Sequence, residues 1–232
     1  MLLVQKQACK VVGEVLAGHN LNDVLQQALA RMGDAPAGER AAVQDISYGT
    51  LRHLGLLRGV LKQLLQKPLT EPALEHLLLI ALYQLRFTRA APYAIVDFAV
   101  TQAERTGSGR GKGLVNAILR NYLRQHEILL AKAGQDPVGR WSYQKWWISA
   151  LQQDYPQDWQ SMLEAGNLHP PMTLRVNPAH CTVDAYLQLL QEAGIEAKVL
   201  DASAILLAQP VGVDRLPGFF DGRVSVQDWG AQ

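Results

Sequence analysis

Over the first 135 positions the apolar residues recur with a helical period, and that regularity excludes most folds. Ala8, Val11, Val12, Val15 and Leu16 share one stripe, and Leu21, Val24, Leu25, Ala28 and Leu29 form the next, behind Asn20, a residue type suited to capping. Spacings of three and four put each set on one helix face, whereas a half-buried strand needs strict alternation. Ile46, Leu54, Leu57, Val60, Leu61, Leu64 and Leu65 continue the pattern across Gly49, read as the point where a long segment bends or divides, until Pro68 ends it. Leu74, Leu77, Leu78, Ala81, Leu82 and Leu85 make the most apolar helix, expected at the centre, and Pro92 opens another through Ile95, Ala99 and Val100. In the last helix Val115, Ile118, Leu119 and Tyr122 share a face, with Asn116 at its edge. An unpaired amide there would cost about 1 to 3 kcal/mol, so Asn116 is expected to have a dedicated partner. Arg120 and Arg124 repeat four residues apart on an adjoining stripe.

After about residue 135 the pattern changes. Gly134, Pro137 and Gly139 read as a linker, and Trp141, Trp146, Trp147, Leu151, Tyr155 and Trp159 follow as an aromatic-rich helical segment that Pro156 interrupts. Aromatics this dense are read as packing, or as a domain junction, ahead of base stacking. The alternation over 172–177 predicts a strand with Leu174 and Val176 inward and Arg175 and Asn177 on the opposite face. A helix over 183–193 ending at Gly194, a strand over 204–207 and a Pro217-Gly218 turn complete a small α+β unit. The expected fold class is mainly α: a helical bundle at 1–135, then an α+β subdomain at 141–232.

The net charge of +1 conceals an asymmetry. Residues 1–124 hold 15 Lys and Arg against 9 Asp and Glu, and residues 125–232 hold 7 against 12. The excess is concentrated in two acid-free stretches, Arg52, Arg58, Lys62, Lys67 and then Arg105, Arg110, Lys112, Arg120, Arg124. Such clustering suits a surface that tracks phosphates, although a plain solvated surface is the competing reading. The glycine-rich run Gly107 to Gly113 is not a nucleotide loop of the Walker type. A helix precedes it where a strand is required, and Gly113 follows Lys112 where Ser or Thr is required. It reads either as a loop delivering Arg110 and Lys112 to a nucleic-acid backbone or as a simple connector. Cys9 and Cys181 fit no ligand spacing and are expected as free thiols. With no apolar run long enough for a membrane span, no membrane role and a cytoplasmic location are expected.

Two sets of residues carry a resemblance. Leu82-Tyr83-Gln84-Leu85, Pro92 with Ala94, and Leu114 to Arg120 resemble the NusB family of all-α RNA-binding domains. Asn167 to Pro171, Leu174 to Asn177, Leu216 to Phe219 and Val226-Gln227-Asp228 with Ala231-Gln232 resemble the 16S rRNA cytosine-5 methyltransferases of the RsmB (Sun/Fmu) type. In that order they cover nearly the whole chain. The resemblance implies small-subunit ribosomal RNA as partner and S-adenosylmethionine as the cofactor of the whole enzyme, a transferase acting in rRNA processing. It also implies a Rossmann-like catalytic domain in cis, with a glycine-rich cofactor loop and cysteines in Pro-Cys and Thr-Cys settings. Cys9 follows Ala8 and Cys181 follows His180, so neither matches. The chain is therefore expected to lack the catalytic domain, to hold no cofactor and to bind RNA without catalysing, because methylation at cytosine C5 requires a thiolate to add at C6. Arg110, Lys112, Arg120 and Arg124 are the expected backbone contacts, with Arg175 and Asn177 a second set nearer the target base. Lys6 and Lys10 stand where the family tends to carry arginines, giving point charges without a bidentate fork. The alternatives are a NusB-like adaptor in transcription antitermination that binds RNA or a protein, and a domain that only steadies the catalytic fold.

Overall fold

Prolines and capping side chains place the helix starts in the computed structural model, which describes residues 2–105 and 111–232. Helices α1 (Leu2–Leu16), α2 (Leu21–Ala30), α3 (Ala37–Arg52), α4 (Leu54–Leu64), α5 (Pro72–Phe87), α6 (Pro92–Glu104) and α7 (Gly111–Ala133) follow the periodic stripes. Asn20 caps α2 by accepting from the Asn22 N–H at 2.8 Å, and Pro72 and Pro92 occupy first-turn positions, where their missing N–H costs nothing. Leu77 to Leu82 of α5 are completely buried, because α1, α3, α4, α6 and α7 all pack around this helix. It is the core of the bundle. Within it the Gln5 amide of α1 donates to Gln84 Oε1 of α5 at 2.8 Å.

The break in the long third segment falls at His53, not at Gly49. His53 leaves helical geometry at φ −100° and ψ 19°, whereas Gly49 stays inside α3. Its glycine serves an approach instead of a bend, since a Cβ there would stand 2.0 Å from Cζ of the Tyr83 ring.

The stretch read as a linker is a packed element, α8 (Pro137–Trp141). Asp136 caps it, accepting from the Gly139 N–H at 3.2 Å, and its backbone lies directly on α4. A Cβ on Gly55 would meet the Val138 carbonyl oxygen at 2.2 Å, and one on Gly139 would meet the Ala133 oxygen at 2.1 Å. The Ser142 hydroxyl accepts from the Leu56 N–H at 3.1 Å and pins the exit. Helices α9 (Lys145–Asp154) and α10 (Trp159–Asn167) follow, with Trp141, Ile148, Leu151 and Leu163 as a satellite core. Packing thus accounts for Trp141, but Trp146 and Trp147 are 66% and 41% exposed. The first compact unit runs through Asn167, beyond the 135–141 change read from composition.

The second unit, Leu168–Gln232, contains β1 (Thr173–Val176), α11 (Val183–Glu192), β2 (Ala197–Val199), β3 (Ala204–Leu207) and β4 (Val224–Val226). The strands form one antiparallel sheet in the order β2-β3-β1-β4, with Leu174 opposite Ile205 on one side and Val226 on the other. As the alternation predicts, Leu174 and Val176 are buried, while Arg175 is exposed. Tyr186 and Leu190 of α11 join them in the core with Ile205, Leu207 and Val224. Strands β2 and β4 carry no strand signal in the sequence, because three residues at a sheet edge show too little alternation. The fold is mainly α, an all-α bundle followed by a small α+β unit.

Candidate nucleic-acid interface

Helix α7 turns its apolar face, Val115, Ile118, Leu119 and Tyr122, into the bundle and leaves Arg120 and Arg124 exposed. Asn116 has the partner expected of it: Arg120 Nε donates to Asn116 Oδ1 at 3.0 Å. That contact uses one guanidinium nitrogen and fixes the direction of the side chain. On helical geometry Arg124 lies about 20° and Arg120 about 60° round α7 from Ala117, both on the side away from Leu114 and Asn121.

Ala117 matters because it lines a concavity of about 550 Å³ together with Leu114, Asn121 and the α4–α5 loop residues Lys67 and Pro68. Lys67 and Pro68 also line a neighbouring hollow of about 510 Å³, bordered by Arg58 and Lys62 of α4. Arg58 and Lys62 in turn line a third, of about 430 Å³, reaching Ser142 and Tyr143. The shared residues make these one trough across α4, the loop and α7. The basic stretch 52–67 lines it through Arg58, Lys62 and Lys67, and α4 packs beside α7, the helix that carries Arg120 and Arg124. Among the described residues Lys62, Lys67, Arg120 and Arg124 form no ion pair, whereas Arg58 Nε meets Glu75 at 3.1 Å. Glu71, Glu75 and Asp136 are the acids of its lining. The acid-free stretch 52–67 was the sequence signal for Lys62 and Lys67; which of its residues share a surface depends on packing.

Other expected contacts lie elsewhere. Lys112 sits about 120° round α7 from Arg124 and pairs with Glu104 of α6 at 3.1 Å. Arg110, with the glycine-rich run 107–110, lies outside the described residues. In the second unit Arg175 is exposed and donates to Gln227 Oε1 at 3.3 Å. Asn177 is committed to the backbone at both ends of its amide: it donates to the Gly222 carbonyl at 3.0 Å and accepts from the Ala179 N–H at 3.1 Å. It braces the loop before β4. A concavity of about 690 Å³ in this unit, with His169, Glu196 and Lys198 in its lining, includes neither residue.

Among the described residues no group of His, Cys, Asp and Glu could hold a metal, and no helix is long and apolar enough to cross a membrane. S-adenosylmethionine calls for a glycine-rich turn between a parallel strand and a helix, with an acid for the ribose. The four described strands pair only antiparallel, so they do not fit that group.

The architecture defines a class: an all-α bundle carrying a basic trough, followed by a four-stranded antiparallel unit. The NusB family model matches residues 3–124, more than half of the chain, and the chain belongs to that family. A second model, described as the RsmF/B-like methyltransferase, ferredoxin-like domain, matches residues 143–214 and so takes in α9 and α10 as well as most of the sheet unit. Over 97% of its length the chain is 40% identical to ribosomal RNA small subunit methyltransferase B of Pseudomonas syringae pv. tomato, covering 51% of that protein. The proteins of the same description from Serratia proteamaculans and Vibrio vulnificus are 39% and 38% identical, over 97% and 99% of the chain and 53% and 54% of their own lengths. The resemblance read from the sequence is borne out by these relatives, of whose length the chain spans about half. A solved structure titled as that of PH0851 aligns over 98% of the chain and 53% of its own, with a TM-score of 0.59 at 15% identity, a likeness of fold alone.

Proposed function

We propose that this chain is the RNA-recognition portion of an S-adenosylmethionine-dependent methyltransferase that modifies cytosine C5 in small-subunit ribosomal RNA, and that it binds RNA without itself catalysing. The relatives support the substrate class, since each is named for methylation of that RNA. The observation that carries RNA binding is the trough, lined by Lys62 and Lys67 beside α7, whose exposed Arg124 and Arg120 lie about 20° and 60° round that helix from the lining residue Ala117. Phosphates seated there would position the RNA while leaving sequence choice to other contacts. Arg175, on the outer face of the sheet, is the second contact; Asn177 holds the loop beside it. The cofactor and the thiolate belong to a catalytic domain in cis, and the setting is the cytoplasm. The test is filter binding of the chain to small-subunit rRNA helices at two salt concentrations. Binding that weakens steeply as salt rises is expected. No binding, or salt-independent binding, overturns the proposal.

A further inference from the structure

The junction of α3, α4 and the end of α5 holds a cluster of side chains that lines no part of the trough. The His53 imidazole lies on the Phe87 ring with centroids 4.2 Å apart and planes 12° from parallel, and the Tyr83 ring flanks Phe87 at 5.3 Å. Tyr83 is buried, whereas Phe87, the last residue of α5, keeps 39% of its surface exposed. The Arg86 guanidinium carbon stands 5.6 Å from the Phe87 centroid, and Arg52 precedes His53 directly. Burial first, then the charges of Arg52 and Arg86, hold His53 below its ordinary pKa, so at neutral pH the stack is an uncharged aromatic surface between two cations. Asp45, accepting from the Tyr83 hydroxyl at 3.5 Å, is the acid of the cluster.

We propose that the Phe87–His53 stack, rimmed by Arg52 and Arg86, is a platform for one unpaired base of a single-stranded RNA segment, with the flanking phosphates on the two arginines. This rests on the RNA-binding reading above and adds a contact outside the trough. Charge complementarity favours a nucleotide over an apolar peptide: a peptide side chain would use the ring but leave both guanidiniums without anions, whereas a base offers a π face and its phosphates offer two charges. A duplex is excluded as occupant because its bases already stack on one another. The ring is also preorganised, since His53 and Tyr83 fix its plane before any ligand arrives.

The test is fluorescence anisotropy of the whole chain with two labelled RNAs, an unstructured strand of roughly ten nucleotides and a hairpin duplex. Phe87→Leu keeps an apolar contact to His53 but removes the ring. It should weaken single-strand binding roughly tenfold, with an unchanged salt slope and unchanged duplex binding. Phe87→Trp should bind like the unmodified chain, and Arg52→Gln with Arg86→Gln should lower the single-strand slope by about 1.4. Full single-strand affinity in Phe87→Leu, or equal losses on strand and duplex, overturns the platform alone. If the unmodified chain binds neither RNA, the RNA-binding reading fails and the platform with it. Should circular dichroism show Phe87→Leu unfolded, the arginine pair decides, an unchanged slope overturning the platform.

Discussion

Gln5 and Gln84 are a polar pair in the most apolar part of the bundle, 0% and 2% exposed. Their mutual hydrogen bond satisfies the Gln84 oxygen, while Gln5 Oε1 has no partner among the described residues. A pair of this kind contributes little net stability but is costly to break, because removing one partner strands the other without water. Gln84→Leu should therefore destabilise the chain by about 1 to 3 kcal/mol in urea unfolding. Gln5→Leu combined with Gln84→Leu should recover most of that loss. A double variant as unstable as the single one would show that the pair contributes more than the satisfaction of its own amides. Sequence pattern places Gln84 on the central helix but says nothing of Gln5, 79 positions away. The same holds for Gly49, whose fitting partner Tyr83 comes from another helix and whose glycine looks, in one dimension, like a bend.

Helices were legible wherever a stripe ran for three or more turns, as in α1, α5 and α7, because periodicity reports the buried face directly. Helix α8 was not. Its Gly134, Pro137 and Gly139 have the composition of a linker, yet glycine serves close backbone approach as well as flexibility, and sequence alone does not separate the two. The contacts do. A Cβ on Gly139 would stand 2.1 Å from the Ala133 oxygen, whereas on Gly134 the nearest atom, the Leu130 oxygen, is at an ordinary 3.4 Å. Gly139→Ala should push α8 from the end of α7 and cost about 1 to 3 kcal/mol, read as a lower thermal midpoint and faster amide exchange near Leu56, whose N–H is held by Ser142 at the exit of α8. Gly134→Ala, toward the end of the same helical approach, should change stability by less than about 1 kcal/mol. Equal losses at the two positions would mean that conformational freedom, not fit, is what glycine supplies there.

Across the whole molecule the useful quantity is the distribution of charge, not its sum. A chain of net charge +1 would bind a polyanion weakly if its ions were mixed evenly, but residues 1–124 carry 15 basic against 9 acidic side chains. The sequence showed that excess and its two dense stretches. It did not show that α4 and α7 lie side by side, with Lys62 and Lys67 lining a trough that reaches Ala117 of α7, nor that Lys112 pairs with Glu104. That arrangement fixes how affinity should respond to salt. Each phosphate neutralised releases condensed counterions, so log affinity falls with log salt by about 0.9 per contact on a duplex. Arg120→Ala with Arg124→Ala should lower the slope by about 1.8 and weaken binding to all duplex sequences alike, since these contacts position without reading bases. The thermal midpoint should stay near that of the unmodified chain, because both side chains are exposed. Lys112→Ala is the internal comparison: its ammonium is held by Glu104 about 120° round α7 from Arg124, and the slope should move by much less. A slope that falls as far with Lys112→Ala as with Arg124→Ala would place the RNA on a different face of α7 and remove the trough from the proposal.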